Sequence, residues 1–330
     1  MVESLTKGID DFLIDGLSFK LPESATYVTD RKSVALHTSG SNDYSASGTK
    51  LIKLVVDGEG WMDPSTLRIA FDVVNTHATA DVFLRPISGP WTFFRRLRIL
   101  CGGTIVEDIT EYNRVHEMFT TIINKNSKVN VDAEGWGIDP WDYKTTINVA
   151  NFPGLQAGRS QTVIFAPLAG ILAQPKYLPL RYAPLTFELE LVSDKTIPFV
   201  FTNVAPFTTT NTSDSWKLQN VQIKVDVCTL DNQLDNSYAE VLLSGKSLPI
   251  NYNTYISQLP SVLSGDAGQQ KVRINISRSL SRLKSVFVTL EKPDVLASLS
   301  SAVYKSFNIF YSPFNTTANE AILGEAEREF

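Results

Sequence analysis

The stretch Trp91–Asp108, WTFFRRLRILCGGTIVED, decides how the chain is read. It holds three arginines, three aromatics, a cysteine and a Gly-Gly pair, and a helical pattern follows it. A phosphate loop needs several backbone N–H groups turned inward at a helix N-terminus, and a P-loop adds Lys-Ser/Thr. Here Thr104-Ile105-Val106-Glu107-Asp108 follow the glycines. No lysine comes, acidic residues stand where a phosphate would approach, and another short strand precedes the helical pattern. Two glycines between alternating runs mark a two-residue hairpin, because its turn wants positive φ at both positions. The stretch therefore predicts a hairpin in a wall of strands. On its first strand Leu97, Ile99 and Cys101 share one face, and Arg96 and Arg98 share the other.

The same alternation recurs outward from the hairpin. Leu67, Ile69, Phe71 and Val73 share one face, and Leu185, Phe187, Leu189 and Leu191 alternate with Glu188 and Glu190. Ser33–His37 and Gln161–Phe165 are shorter strand patterns, and Lys50–Val56 is apolar enough to predict burial on both faces. Val221, Ile223 and Val225 form another inward row, joined by Cys228 after a shift of face. Leu248–Ile256, Lys271–Ile276, Leu283–Glu291 and Lys305–Tyr311 read as further strands. Two helices interrupt them. The first is predicted from Asp108 as cap, with Glu111 in the capping-box place and Tyr112, Val115, Phe119, Ile122 and Ile123 on one face. The second follows Asp231, with Leu234, Tyr238, Val241 and Leu242 on one side. Residues 39–49 are a small-polar loop, and residues 124–160 a long excursion carrying Trp136 and Trp141. The Thr-rich segment 203–214 holds no period and predicts a boundary. Two helices among a dozen strands make a mainly β protein of sandwich or barrel type.

The chain has 330 residues, 43% hydrophobic and 20% charged, with net charge −5. That composition supplies a large core and argues against both disorder and a globally basic nucleic-acid binder. The start, MVESLTKGIDDFL, has no apolar run of signal-peptide length, and no window reaches the roughly 18 apolar residues of a membrane-spanning helix.

The candidate chemistry is thin. Arg95, Arg96 and Arg98 are candidates for nucleic-acid binding, but only Arg96 and Arg98 share a strand face, which fits a solvated or subunit-facing surface better. His37, His77 and His116 lie far apart and have no partner at metal-ligand spacing, and His116 is predicted on the polar side of the first helix. The pairs Asp10-Asp11, Glu107-Asp108 and Glu188/Glu190 are weak candidates for a glycosidase acid and base. Glu188 and Glu190 sit about 7 Å apart on one strand face, a spacing common on any solvated strand. Cys101 and Cys228 read as two buried thiols, although a disulfide between them stays open. Trp136 and Trp141 either stack on sugar or anchor their loop. No Ser-His-Asp constellation, GxSxG or GxGxxG occurs. The sequence assigns no catalytic, metal or cofactor-binding residue.

The order of elements resembles two jelly rolls in tandem, each with an inserted helix. VDVCTLDNQLDNSYAEVLL, INYNTYI and RINISRSLSRLKSVFVTLEKP are similar to the second-barrel region of double jelly-roll major capsid proteins. WTFFRRLRILCGGTIVEDITEYNRVHEMF looks most like the capsid proteins of polinton-like viruses and their relatives. The resemblance covers residues 20–330. It implies a non-enzymatic viral major capsid protein forming homotrimers, whose six barrels give pseudo-hexagonal capsomers tiling an icosahedral shell. It further implies neighbouring capsomers, penton and minor capsid proteins as partners, a place in the virion of a DNA virus, and no sequence-specific nucleic-acid binding. The implied organisation is an arm at 1–20, a first jelly roll at 21–205, a linker at 206–215 and a second roll at 216–330. That second roll is expected to lack strands, since eight strands with tight loops and a helix already need roughly 110–120 residues. The rival readings are a carbohydrate-binding β-sandwich of adhesin or lectin type and a β-sandwich glycoside hydrolase.

Overall fold

The computed structural model describes residues 28–38, 40, 42–86, 88–122, 136, 154–199, 212–258 and 283–287. Their elements are β1 (Val28–His37), β2 (Leu51–Val56), β3 (Trp61–Asn75), β4 (Phe83–Leu84), β5 (Phe94–Cys101), β6 (Thr104–Thr110), α1 (Tyr112–Ile122), β7 (Leu155–Gln156), β8 (Ser160–Phe165), β9 (Leu178–Pro179), β10 (Leu185–Leu191), β11 (Trp216–Leu230) and α2 (Asn232–Leu243). Short 3₁₀ turns cover Pro90–Phe93 and Gly170–Leu172.

The Gly-Gly pair is a hairpin turn. Gly102 has φ 55° and Gly103 φ 85°, the paired positive values of a type I′ connection, and β5 and β6 run antiparallel from it. This hairpin ends one sheet, ordered β2-β10-β5-β6; the other is ordered β1-β11-β3-β8. With the two-residue strands set aside, eight long strands remain. Their orders are second-seventh-fourth-fifth and first-eighth-third-sixth, which is the jelly roll. The eighth of these strands returns beside the first, which closes the sandwich among the described strands.

The alternating residues meet between the sheets. Phe71 of β3 packs edge-on against Phe93, Phe94 and Phe165, with ring centroids 5.7, 5.5 and 6.4 Å apart. Leu67, Ile69, Val73, Leu97, Ile99 and the inward row of β10 join the same core. The expectation for Lys50–Val56 is corrected here. Ile52, Leu54 and Val56 are buried, but Leu51 and Val55 are 46% and 39% exposed, because β2 presents one face to solvent.

The division at 206–215 is corrected at β11. This strand does not open a second roll; it is the eighth strand of the first, between β1 and β3. Its inward row changes face within the strand, as the sequence suggests: Trp216 and Leu218 are buried, then Val221, Ile223, Val225 and finally Cys228. Asn220 sits at the first shift with φ 52°, a left-handed conformation that asparagine tolerates and that marks a bulge. Asn42 accepts from its backbone N–H at 2.9 Å, and its side chain donates to Asp72 at 2.6 Å.

Three further expectations change. Asp108 lies within β6, so α1 starts later, after Glu111, which turns the chain at φ 48° and offers its carbonyl to the N–H groups of Arg114 and Val115. Residues 249–258 form no strand; they lie as a strap along β6 and α1. Residues 283–287 also form no strand, and Leu283, Val286 and Phe287 are exposed. The arm at 1–20, Ile123, Trp141 and the strands expected at 271–276 and 305–311 lie outside the described residues.

The chain separates into two compact units, Met1–Arg31 with Cys228–Leu248, and Lys32–Val227 with Pro249–Phe330. The first contains α2. Asp231 caps it as expected, accepting from the Gln233 N–H at 3.1 Å. Gly245, at φ 78°, ends it: its N–H bonds the Leu242 carbonyl and that of Lys246 the Val241 carbonyl, a Schellman closure. Leu234, Tyr238, Val241 and Leu242 are half-buried on one side.

Candidate functional site

The hairpin and the helix after it carry most of the polar chemistry, which falls in three places. The first is the outer face of the β2-β10-β5-β6 sheet. Lys53 stands opposite Glu188, Glu188 opposite Arg98, and Arg98 opposite Asp108, so charges alternate in sign across four strands. Arg96 grips Asp108 with two bonds of 2.8 and 2.7 Å, and Arg98 pairs with Glu188 at 2.8 Å. Arg95 reaches Glu111 at 3.4 Å. These pairs are partly exposed, and each contributes at most about 1 kcal/mol. Their larger effect is to engage the arginines with carboxylates, leaving them poor phosphate binders. Glu188 is one of those partners, and the Glu188/Glu190 pair therefore sits in an ion-pair ladder.

The second place is a buried network under α1. His116 is not on a polar face as expected; it is buried, with its ring stacked on Trp91 at 4.1 Å and 13°. Its Nε2–H donates to the Ala166 carbonyl at 3.1 Å, and burial pushes its pKa down to about 4. The imidazole is therefore neutral and structural. Beside it Glu117 accepts from the Trp91 indole N–H at 2.9 Å and from the Ser88 hydroxyl. Trp136 donates to the Ser88 carbonyl at 2.9 Å, and Gln161 donates to the Trp136 carbonyl at 2.7 Å. Of the two readings of Trp136, the structure selects the anchor: the indole is buried against Phe93. His37 is exposed on β1, and His77 accepts from the Thr79 N–H at 3.1 Å. The structure does not bring the three histidines into one site. Cys101 and Cys228 are both free thiols.

The third place escaped the sequence reading. Glu107 and Asp108 are neighbours on β6, so they face opposite ways. Asp108 points out to Arg96, and Glu107 points in, only 2% exposed. Its carboxylate accepts from the Gly170 N–H at 2.8 Å, the Ile171 N–H at 3.2 Å and the Thr254 hydroxyl at 3.1 Å. Burial raises its pKa, against the opposing pull of those three donors. The strap lies over this cradle. Tyr252 donates to the Val106 carbonyl at 2.7 Å, Ser257 donates to the Thr110 carbonyl, and the Lys176 ammonium donates to the Pro249 carbonyl at 2.9 Å. The Tyr255 and Phe287 rings lie 4.9 and 5.1 Å from that of Phe119. A Cβ on Gly170 would stand 1.7 Å from the Asn253 carbonyl oxygen, so only glycine lets the strap come this close. The one signal in the sequence was the hydroxyl-bearing row Tyr252, Thr254, Tyr255 and Ser257, which reads equally well as a strand.

Among the described residues no three His, Cys, Asp or Glu side chains are grouped to hold a metal, and no helix is long and apolar enough to cross a membrane.

No family model matches the sequence, and no curated protein matches it. Among solved structures, the chain is similar to a quasi-atomic model of the PBCV-1 virus capsid, at 14% identity and TM-score 0.41 over 67% of this chain and 47% of that one. It is equally similar to the PBCV-1 VP54 crystal structure fitted into a reconstruction of the virophage Sputnik, at 14% identity and TM-score 0.41, over 67% of this chain and 48% of that one. The chain thus spans about half the length of these structures. The jelly-roll assignment rests on the strand order and not on this likeness.

Proposed function

We propose that this chain is a viral major capsid protein of the double jelly-roll kind, a structural protein of the virion. The observation that carries the reading is the complete eight-strand jelly roll of residues 28–230, with its polar side chains engaged in fold-holding pairs. Jelly rolls serve chiefly as capsid walls, lectins and cupins. Tryptophan offers the largest face for stacking on a sugar, and the four described tryptophans, Trp61, Trp91, Trp136 and Trp216, are all buried. Of the carboxylates weighed for hydrolysis, Asp108 and Glu188 serve as ladder partners and Glu107 as the cradle of the strap.

Three copies with two rolls each form a pseudo-hexagonal capsomer, because two similar barrels per subunit let a three-fold object imitate a six-fold tile. Capsomers then tile an icosahedral shell with penton and minor capsid proteins. No active site and no sequence-specific nucleic-acid contact is required.

The test is the mass of the purified full-length protein in solution, followed by electron microscopy of what assembles. Trimers and hexagonal tiles are expected. A stable monomer at micromolar concentration that binds a glycan array would overturn the reading in favour of the lectin alternative.

A further inference from the structure

The Glu107 cradle is elaborate for a purely structural contact. A carboxylate almost fully removed from water is held only by neutral donors: two backbone N–H groups of the Gly170 turn and one hydroxyl of the strap. We propose that Glu107 is a proton-operated latch, and that the strap Pro249–Ser257 grips the jelly roll more firmly when Glu107 is protonated than when it is ionised. The inference does not depend on the capsid reading.

The surrounding groups leave Glu107 as the one that changes charge as pH rises above the ordinary carboxyl value of 4.5. Tyr112 faces it from α1, and Tyr252 and Tyr255 face it from the strap; burial, with Glu107's own charge, holds all three phenols protonated. Burial likewise keeps the Cys101 thiol of β5 protonated, near Tyr252. His116, one turn along α1 from Tyr112, bonds Ala166 and Thr120 and stays neutral above about pH 4. The Lys176 ammonium reaches the strap at the Pro249 carbonyl. No cation offsets the Glu107 charge among its hydrogen-bond partners.

When the strap is docked, burial raises the carboxyl above its ordinary value of 4.5. When the strap lifts, the Thr254 donor leaves and water reaches the carboxyl, which returns toward that value. The docked state therefore holds the proton more tightly. Its extra stability is fully present below pH 4.5 and is lost as pH rises through the raised docked value, by up to about tenfold in the docking equilibrium per pH unit. A strap released this way uncovers the edge of β6, whose Val106 and Thr110 carbonyls it now occupies.

The experiment is hydrogen exchange of peptides covering residues 249–257 in the full chain, from pH 4 to 8, corrected for intrinsic exchange. In the wild type, strap protection should fall across that range while the β10 amides stay protected. Glu107→Gln keeps the shape and an acceptor but cannot titrate, so its strap protection should be flat with pH. Constant wild-type strap protection, or a Gln variant that follows the wild-type course, overturns the proposal. If Glu107→Gln does not fold, Thr254→Val decides. It removes a donor that favours the ionised form, so its acid-to-neutral loss should exceed the wild type's by about fivefold, the worth of one hydrogen bond. An equal loss in both proteins overturns the proposal.

Discussion

A chain ending at Ser215 should not fold, whereas a chain ending at Gln258 should. The difference lies in β11. Its side chains Trp216, Leu218, Val221, Ile223 and Val225 are all buried in the sandwich core. Burying one such side chain is worth about 1.5–3 kcal/mol, so the five together supply about 8–15 kcal/mol. A whole domain is stable by only about 5–15 kcal/mol, so the loss matches the total. The backbone argument points the same way: β11 lies between β1 and β3, and its removal leaves two open strand edges inside one sheet. Tryptophan fluorescence and far-ultraviolet circular dichroism during heating would follow both chains. The longer one should melt cooperatively, and the shorter should show no transition and should aggregate. A cooperative melt of the shorter chain within about 5 °C of the longer one, a shift worth only about 1–3 kcal/mol at this chain length, would refute the assignment of β11 to the first roll.

Other outcomes follow from single residues. Asn220→Gly should change stability by less than about 1 kcal/mol, because glycine adopts φ 52° freely, whereas Asn220→Val should cost about 1–3 kcal/mol in urea unfolding through strain at that bulge. His116 is buried neutral with a pKa near 4 against an unfolded value of 6.5, so its contribution is complete above pH 6.5 and falls away toward pH 4, by about 3 kcal/mol. His116→Phe should flatten that acid limb in denaturant titrations between pH 4 and 7; an unchanged limb would mean another group is responsible. Gly170→Ala should detach the strap without unfolding the roll, since its Cβ would meet the Asn253 carbonyl at 1.7 Å. Exchange should then rise at residues 249–257 and stay slow in β10, and a strap still protected in the alanine variant would show that the close approach is not needed.

The sequence by itself determined the features that depend on neighbours along the chain. Gly102-Gly103 must turn because only glycine accepts two successive positive φ values cheaply, and the alternations of β3, β5 and β10 must present one apolar face. Asp231 announces α2 through a local side-chain bond. Tertiary structure decided everything that depends on which face meets which partner. The pattern of β11 looks the same whether the strand opens a second roll or closes the first; the vacancy between β1 and β3 settled it. His116 reads as polar by composition and is buried because Trp91 and the Ala166 carbonyl offer it a stack and an acceptor. Leu248–Ile256 has strand-like alternation, yet its hydroxyls bond the carbonyls of β6 and Glu107 instead of joining a ladder. Periodicity records how a segment divides between apolar and polar sides. It carries no address for the surface against which either side will pack, because burial energy is non-directional and the partner lies up to two hundred residues away, as Thr29 and Thr229 do.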